Sequence, residues 1–247
     1  MYPSAYELKS FYNTDFGKVI QKSVYRQIKK MWPNVNNLRL MGYGYPVPYM
    51  DYYLNESERS FAIMPASRGV HKWPEHDANL VSMARGYQLP IETESIDRIL
   101  LIHAVEYAYS IDELLEEIWR VLKSNGRMIV VVPNRIGFWS RATWSPFGQG
   151  VPYSHYQINK TLQKSRFVCE NYSRALYTPP LNWALNIKSA DFFERYGKYI
   201  YPALSGLHII EASKQVYSGL LKPELQTNRI KKRVIVANAI TERKDIL

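Results

Sequence analysis

Apolar positions along the chain change their period several times, and each change predicts an element. Phe16, Val19, Ile20, Val24, Ile28 and Met31 recur at three- and four-residue steps, the single stripe of an amphipathic helix. Thr14 or Asp15 can cap its start. Trp32-Pro33 ends it, because a residue before proline avoids the helical region. The helical segment thus covers about residues 6–32, with Lys18, Lys22, Arg26, Lys29 and Lys30 on its other faces.

Shorter apolar runs follow. Asn37 to Met41 reads as a strand running into the glycine turn Gly42-Tyr43-Gly44-Tyr45-Pro46. Residues 60–64 and Val81 to Met83 read as further short strands. The clearest pattern lies in 96–133. Ile96 to Ile102 is nearly continuous in apolar residues, as in a strand covered on both faces. Ser110 and Glu113 form a capping box, and Ile111, Leu114, Leu115, Ile118, Val121 and Leu122 make a helical stripe. Glu116 and Arg120 are spaced as an i,i+4 pair. Asn125-Gly126 supplies a stop, and Met128 to Val132 is a second buried strand. Strand, helix and strand at this spacing predict a right-handed βαβ unit.

Residues 134–157 lose all periodicity and alternate glycine, proline and bulky aromatics. A loop of this length in a compact domain is usually a lid or binding loop. Arg166 to Tyr177 and Leu207 to Tyr217 read as strand-bearing, and 188–200 as helical. A basic tail, 222–247, contains the apolar run Arg233 to Asn238. One large α/β domain over residues 1–221 is the organisation expected.

Charge sharpens this division. Residues 1–40 hold seven Lys/Arg against two Asp/Glu, and 222–247 hold seven against three, so most of the net +10 sits at the ends. Basic ends read first as a solvated helix face and tail, and after that as a surface for RNA or an anionic membrane. The single cysteine, Cys169, excludes an intrachain disulfide and fits a reducing compartment. No Cys or His spacing matches a structural zinc site, so no metal is expected. Without an h-region at the N-terminus or a run of ~20 apolar residues, a cytoplasmic protein with no transmembrane segment is expected.

Three stretches carry a resemblance: Ser95-Ile-Asp97-Arg-Ile-Leu-Leu-Ile-His103-Ala-Val-Glu106-Tyr107, then Glu117-Ile-Trp-Arg120-Val-Leu-Lys123-Ser-Asn-Gly126, then Met128-Ile-Val-Val-Val-Pro133-Asn134. Together with the upstream Gln88-Leu89-Pro90 they are similar to the class I S-adenosylmethionine-dependent methyltransferases, specifically the type-11 methyltransferase domain family. A subgroup typical of alphaproteobacteria is also similar at Pro146-Phe-Gly148, Pro152-Tyr-Ser154, Tyr177-Thr-Pro-Pro180 and His208 to Tyr217. The resemblance implies a Rossmann-like α/β fold with a seven-stranded mixed sheet and helices on both faces. It implies S-adenosylmethionine as cofactor and methyl transfer, while the aromatic loop and the near-neutral centre of the chain favour a small-molecule or lipid-like acceptor.

It also implies site residues. The turn of Gly42, Tyr43 and Gly44 would pass under the methionine part of the cofactor; the third glycine position holds Pro46, and an acidic position before the turn holds Leu40. Met64 stands where the family places a ribose-binding carboxylate. Arg85 stands where a carboxylate often reads adenine, and would suit a phosphate-bearing ligand. Backbone near Ala62 and Met64, or Glu58 or Asp77, would then substitute. His103 borders the cofactor, and His103, Asn134 and Tyr153 are the candidate catalytic residues, with Glu106 and Arg135 beside them. Tyr107 replaces a histidine common in the family. Trp139, Arg141, Trp144, Phe147, Tyr153 and His155 are the lid residues expected to cover an acceptor. Each has a purely structural alternative: a tight turn, a helix-entry histidine, a plug at the sheet's end. Three functions stay open in this order: the methyltransferase, a degenerate non-catalytic binding module of the same fold, and a nucleic-acid methyltransferase using the basic ends. The oligomeric state and the acceptor are not legible.

Overall fold

Residues buried on both faces of their strands place a sheet at the centre of the molecule. In the computed structural model, which describes residues 2–180 and 183–216, seven strands form one sheet in the order β3-β2-β1-β4-β5-β7-β6. They are β1 (Arg39–Gly44), β2 (Arg59–Pro65), β3 (Val81–Ala84), β4 (Ile96–Ile102), β5 (Leu122–Pro133), β6 (Phe167–Ala175) and β7 (Leu207–Lys214). The first five pair in parallel, and β7 is antiparallel to both β5 and β6. The seven-stranded mixed sheet expected from the resemblance is the one present.

Alternation along the central strands builds two cores. Leu40, Leu100, Ile102, Ile129, Val131 and Ile209 face a core shared with the N-terminal helices α1 (Ala5–Asn13) and α2 (Asp15–Met31). Met41, Tyr43, Ile99, Leu101, Val130 and Ile210 face the other, shared with α4 (Ile111–Val121) and α5 (His155–Lys164). This is the doubly covered sheet that near-continuous apolar strands require. A single turn, α3 (Val47–Met50), leaves β1, and α6 (Trp183–Ile200) precedes β7.

Local details differ from the sequence reading in instructive ways. The N-terminal segment is two helices: the Thr14 hydroxyl accepts from Gly17 and starts α2, while Ser4 and Glu7 form a capping box on α1. β1 runs through both glycines, because pairing with neighbouring strands outweighs the local turn preference, whereas Asn125-Gly126 falls in an unpaired irregularity of β5 between Leu122, paired with Ile96, and Arg127, paired with Arg98. Arg120 pairs with Glu117, not Glu116, at 2.8 Å, and also donates to the Leu89 and Ile91 carbonyls. Among the described residues no helix is long and apolar enough to cross a membrane. The tail 222–247, with its apolar run, lies outside the described residues.

Candidate functional site

The strand order reverses between β1 and β4, and in open α/β sheets ligands bind beyond the carboxyl ends of strands at such a point. A cavity of about 450 Å³ opens there, within the usual range of small-molecule sites. Tyr43 of β1 forms its floor. Pro65 ends β2 and Ala66 to Arg68 follow it, Ala84 ends β3 and Arg85 to Tyr87 follow it, and Ala104 and Tyr107 to Ser110 follow β4, with Glu113 and Leu114 of α4 closing the wall. Burial pushes the Tyr43 phenol up to about 12 against the opposing charge of Arg68.

Arg68 is the least ordinary residue of this wall. It is only 8% exposed. Its Nη2 donates to the His103 carbonyl, and its guanidinium carbon lies 4.9 Å from the centre of the Tyr107 ring. Its Nη1 is buried without a hydrogen-bond partner. Loss of water lowers its pKa, opposed chiefly by the charge of Glu106. Arg85 stands exposed at the rim with Nη1 3.0 Å from the Tyr87 hydroxyl.

On the other side of the same strand ends an aromatic layer covers the turn, and outside that layer lies a second cavity of about 410 Å³ lined by Tyr12, Tyr45, Asp51 and His71. His103 is 1% exposed and holds a left-handed backbone, φ 51°, uncommon outside glycine and often found at functional turns. Its Nε2 lies 2.9 Å from the Tyr12 hydroxyl of α1, and its Nδ1 lies 3.1 Å from Glu106 Oε1. Tyr12 also reaches the Tyr49 hydroxyl at 3.1 Å and stacks on Tyr45, whose hydroxyl is 3.0 Å from His71 Nε2. The glycines of the turn are both closely packed, Gly42 against Pro46 and Met50 and Gly44 against the Ile102 carbonyl and Ala104. A β-carbon on Gly42 would strike Pro46 and the Met50 sulfur, and one on Gly44, at φ 98°, would strike the Ile102 carbonyl.

The residues named from sequence therefore separate. Tyr43 and Arg85 line the cavity, and His103 touches it through its carbonyl on Arg68. Gly42, Gly44 and Met64 do not line it; Met64 is buried in the core shared with α1 and α2. Asn134 is buried, its amide donating to the Ala203 and Ser205 carbonyls, and a β-bridge joins it to the half-buried Tyr153. Glu58 pairs with Arg39 at 3.3 Å, and neither it nor Asp77 lines the cavity. Within the aromatic loop, Trp139 and Phe147 are buried: Trp139 stacks on Phe16, and Phe147 lies 4.8 Å from the His103 ring. Trp144, Arg141 and His155 are exposed. The loop is tied to the β4 exit by the Tyr107 hydroxyl on the Pro146 carbonyl and by Val151 N–H on Glu106 O at 2.9 Å.

Sequence reasoning missed Ser67, Arg68 and Glu113 as wall residues. Their one signal is position, just past the second strand's proline and in the first turn after the fourth strand. A separate open groove of about 1000 Å³ runs between α2 and β6, with Arg26, Lys29, Lys30 and Arg174 on its walls.

Residues 41–130 match the family model described as a methyltransferase domain. Among solved structures the fold is similar to an S-adenosylmethionine-dependent methyltransferase from Thermotoga maritima, at 16% identity and TM-score 0.56 over 85% of this chain and 95% of that one. It is similar to another such enzyme from Mesorhizobium loti, at 12% identity and TM-score 0.53 over 76% and 96%. It is also similar to the geranyl diphosphate C-methyltransferase of Streptomyces coelicolor, solved with S-adenosyl-L-homocysteine, at 12% identity and TM-score 0.53 over 77% and 76%. At these identities the likeness is one of fold. No curated protein matches the chain.

Proposed function

We propose, for a chain that carries a domain of the class I S-adenosylmethionine-dependent methyltransferase family over residues 41–130, that it transfers a methyl group to a small-molecule or lipid-like acceptor. S-adenosylmethionine is the cofactor of that family. One observation carries the reading: every residue lining the cavity, from Tyr43 to Leu114, falls inside the matched segment and at the strand ends where the fold places ligands.

The residues present fit such a cofactor. Tyr43, Tyr107 and Leu114 offer apolar faces to a nucleoside, Ser67 and Ser110 offer hydroxyls, and the buried Nη1 of Arg68 has no partner of its own. Glu113 is the carboxylate on the wall, in a position that neither Met64 nor Arg85 supplies. When bound, the cofactor supplies a methyl group already activated on a sulfonium. The chain has then to orient the partners, exclude water and take up a proton. His103, clamped between Tyr12 and Glu106, acts by fixing the β4 exit and Arg68. Tyr153, the one of the three catalytic candidates that is only half-buried, is the proposed contact to the acceptor. Exposed Ile136, Phe138, Trp144 and Val151 on the aromatic loop support a lipid-like acceptor. A cytoplasmic setting belongs to the same proposal, in keeping with an unpaired Cys169.

A second reading, a binding module that has kept the fold without catalysis, is favoured by the glycine turn closely packed against Pro46 and Met50. Calorimetric and thermal-shift titration with S-adenosylmethionine separates the two. A ligand bound only by the folded state must raise its stability, so the proposal predicts a melting temperature that climbs with cofactor concentration. No heat and no shift at millimolar cofactor would sink it. Binding without transfer of labelled methyl to small-molecule and lipid extracts would leave the module.

A further inference from the structure

Arg68 is a buried cation that the protein itself does not neutralise. Among the described residues no carboxylate lies within 4.0 Å of it. Glu106 is the nearest acidic influence, but its Oε1 is held by His103 and its Oε2 has no hydrogen-bond partner. Burying an unpaired charge is costly, and such a residue stays in place when a ligand completes it. The side chain is held ready for this. Its Nη2 rests on the His103 carbonyl, the Tyr107 ring lies against the guanidinium, and Nη1 is buried without a partner on a residue that lines the cavity. The other charged groups on that wall are Arg85 and Glu113, both exposed, so a negative ligand group finds its desolvated counter-charge at Arg68 alone. A planar guanidinium matches a carboxylate in a two-pronged contact that an ammonium cannot reproduce.

We propose that Arg68 is the anion anchor of this cavity and takes the α-carboxylate at the amino-acid end of the cofactor. This rests on the reading of the cavity as the cofactor site. It gives the chain an attachment point at the opposite end of the ligand from the ribose and adenine, where the expected carboxylates are replaced by Met64 and Arg85.

The test compares two nucleosides that differ at that end: S-adenosylhomocysteine, which has the carboxylate, and 5′-methylthioadenosine, which lacks the whole amino-acid portion. Both are titrated calorimetrically into the full chain, Arg68→Gln and Arg68→Lys. The wild type is expected to prefer S-adenosylhomocysteine. Arg68→Gln should weaken it on the order of 10- to 100-fold, the worth of a charged hydrogen bond, and leave methylthioadenosine within about twofold. Arg68→Lys, which keeps the charge without the fork, should fall between, and decides the matter if the glutamine variant does not fold. Equal weakening of both nucleosides overturns the proposal. So does a lower melting temperature of the ligand-free variant with the preference intact, since Arg68 would then serve only as a structural counter-ion to Glu106. If neither nucleoside binds the wild type, the cofactor reading itself fails and this inference goes with it.

Discussion

The two sides of the parallel strand ends are built on the same seven residues of chain, Gly42 to Pro48, yet they have opposite character. On the α4 side, Tyr43 looks into an open cavity with an unpaired arginine in its wall. On the α1 side, Tyr45, Tyr12, Tyr49 and His103 cover the turn as a buried, hydrogen-bonded layer, and a separate cavity lined by Tyr12, Tyr45 and His71 lies outside it. The contrast separates two demands that a glycine-rich turn can answer. Gly42 and Gly44 are closely approached here by Pro46, Met50 and the Ile102 carbonyl, and packing alone already demands glycine at both positions. The ligand reading rests on the open side, and the covered side is the frame that holds it.

The contrast can be broken most sharply at Gly44. Its φ of 98° and the collision awaiting a β-carbon predict that Gly44→Ala costs about 3 kcal/mol or more, read as a melting temperature lower by roughly 6–12 °C. An unchanged melting temperature would mean that the turn is open. Acid sensitivity has a different origin and must be separated from the cleft. Burial lowers the pKa of His208 on β7 to about 4, against about 6.5 unfolded. The unfolded chain therefore binds the proton first. The stability from keeping this ring neutral is whole above about pH 6.5 and is lost as pH falls toward 4. His208→Asn should flatten that decline by about 2–3 kcal/mol in denaturation curves taken across this range.

Smaller effects sharpen the comparison. Tyr12→Phe removes the hydroxyl shared by His103 and Tyr49, at an expected cost of about 1–2 kcal/mol, with affinity for S-adenosylhomocysteine unchanged in calorimetry. A large loss of affinity would make the covered side part of the ligand site. Glu113→Gln, on the exposed rim, should move stability by less than about 0.5 kcal/mol while weakening the nucleoside a few-fold.

Much of the fold could be read from the chain because its central strands are apolar on both faces and its helices on one. Ile96 to Ile102 was placed to the residue, and the stripe from Ile111 to Val121 is α4. The second helix of the N-terminal pair begins at Thr14, a cap visible in the sequence, but the break it marks was not, because Leu8 and Tyr12 continue the apolar stripe across it. The site was far less legible. Tyr43 and Arg85 are named only through the resemblance, as the glycine-turn and adenine-side positions, and both line the cavity. Arg68 could not be named in that way, since a charged residue after Pro65 reads as an ordinary exposed loop position, and only the fold shows it turned inward onto the His103 carbonyl. The aromatic loop was visible by composition, yet which rings pack and which stay exposed depends on contacts with Phe16 and His103, distant in sequence.

A crystal structure of the full chain grown with S-adenosylhomocysteine tests the central division most directly. The account predicts nucleoside density in the cavity bounded by Tyr43, Arg68, Arg85 and Leu114, with Tyr12 still bonded to His103. Density on the α1 side instead, with Tyr12 and Tyr45 displaced from over the glycine turn, would contradict it.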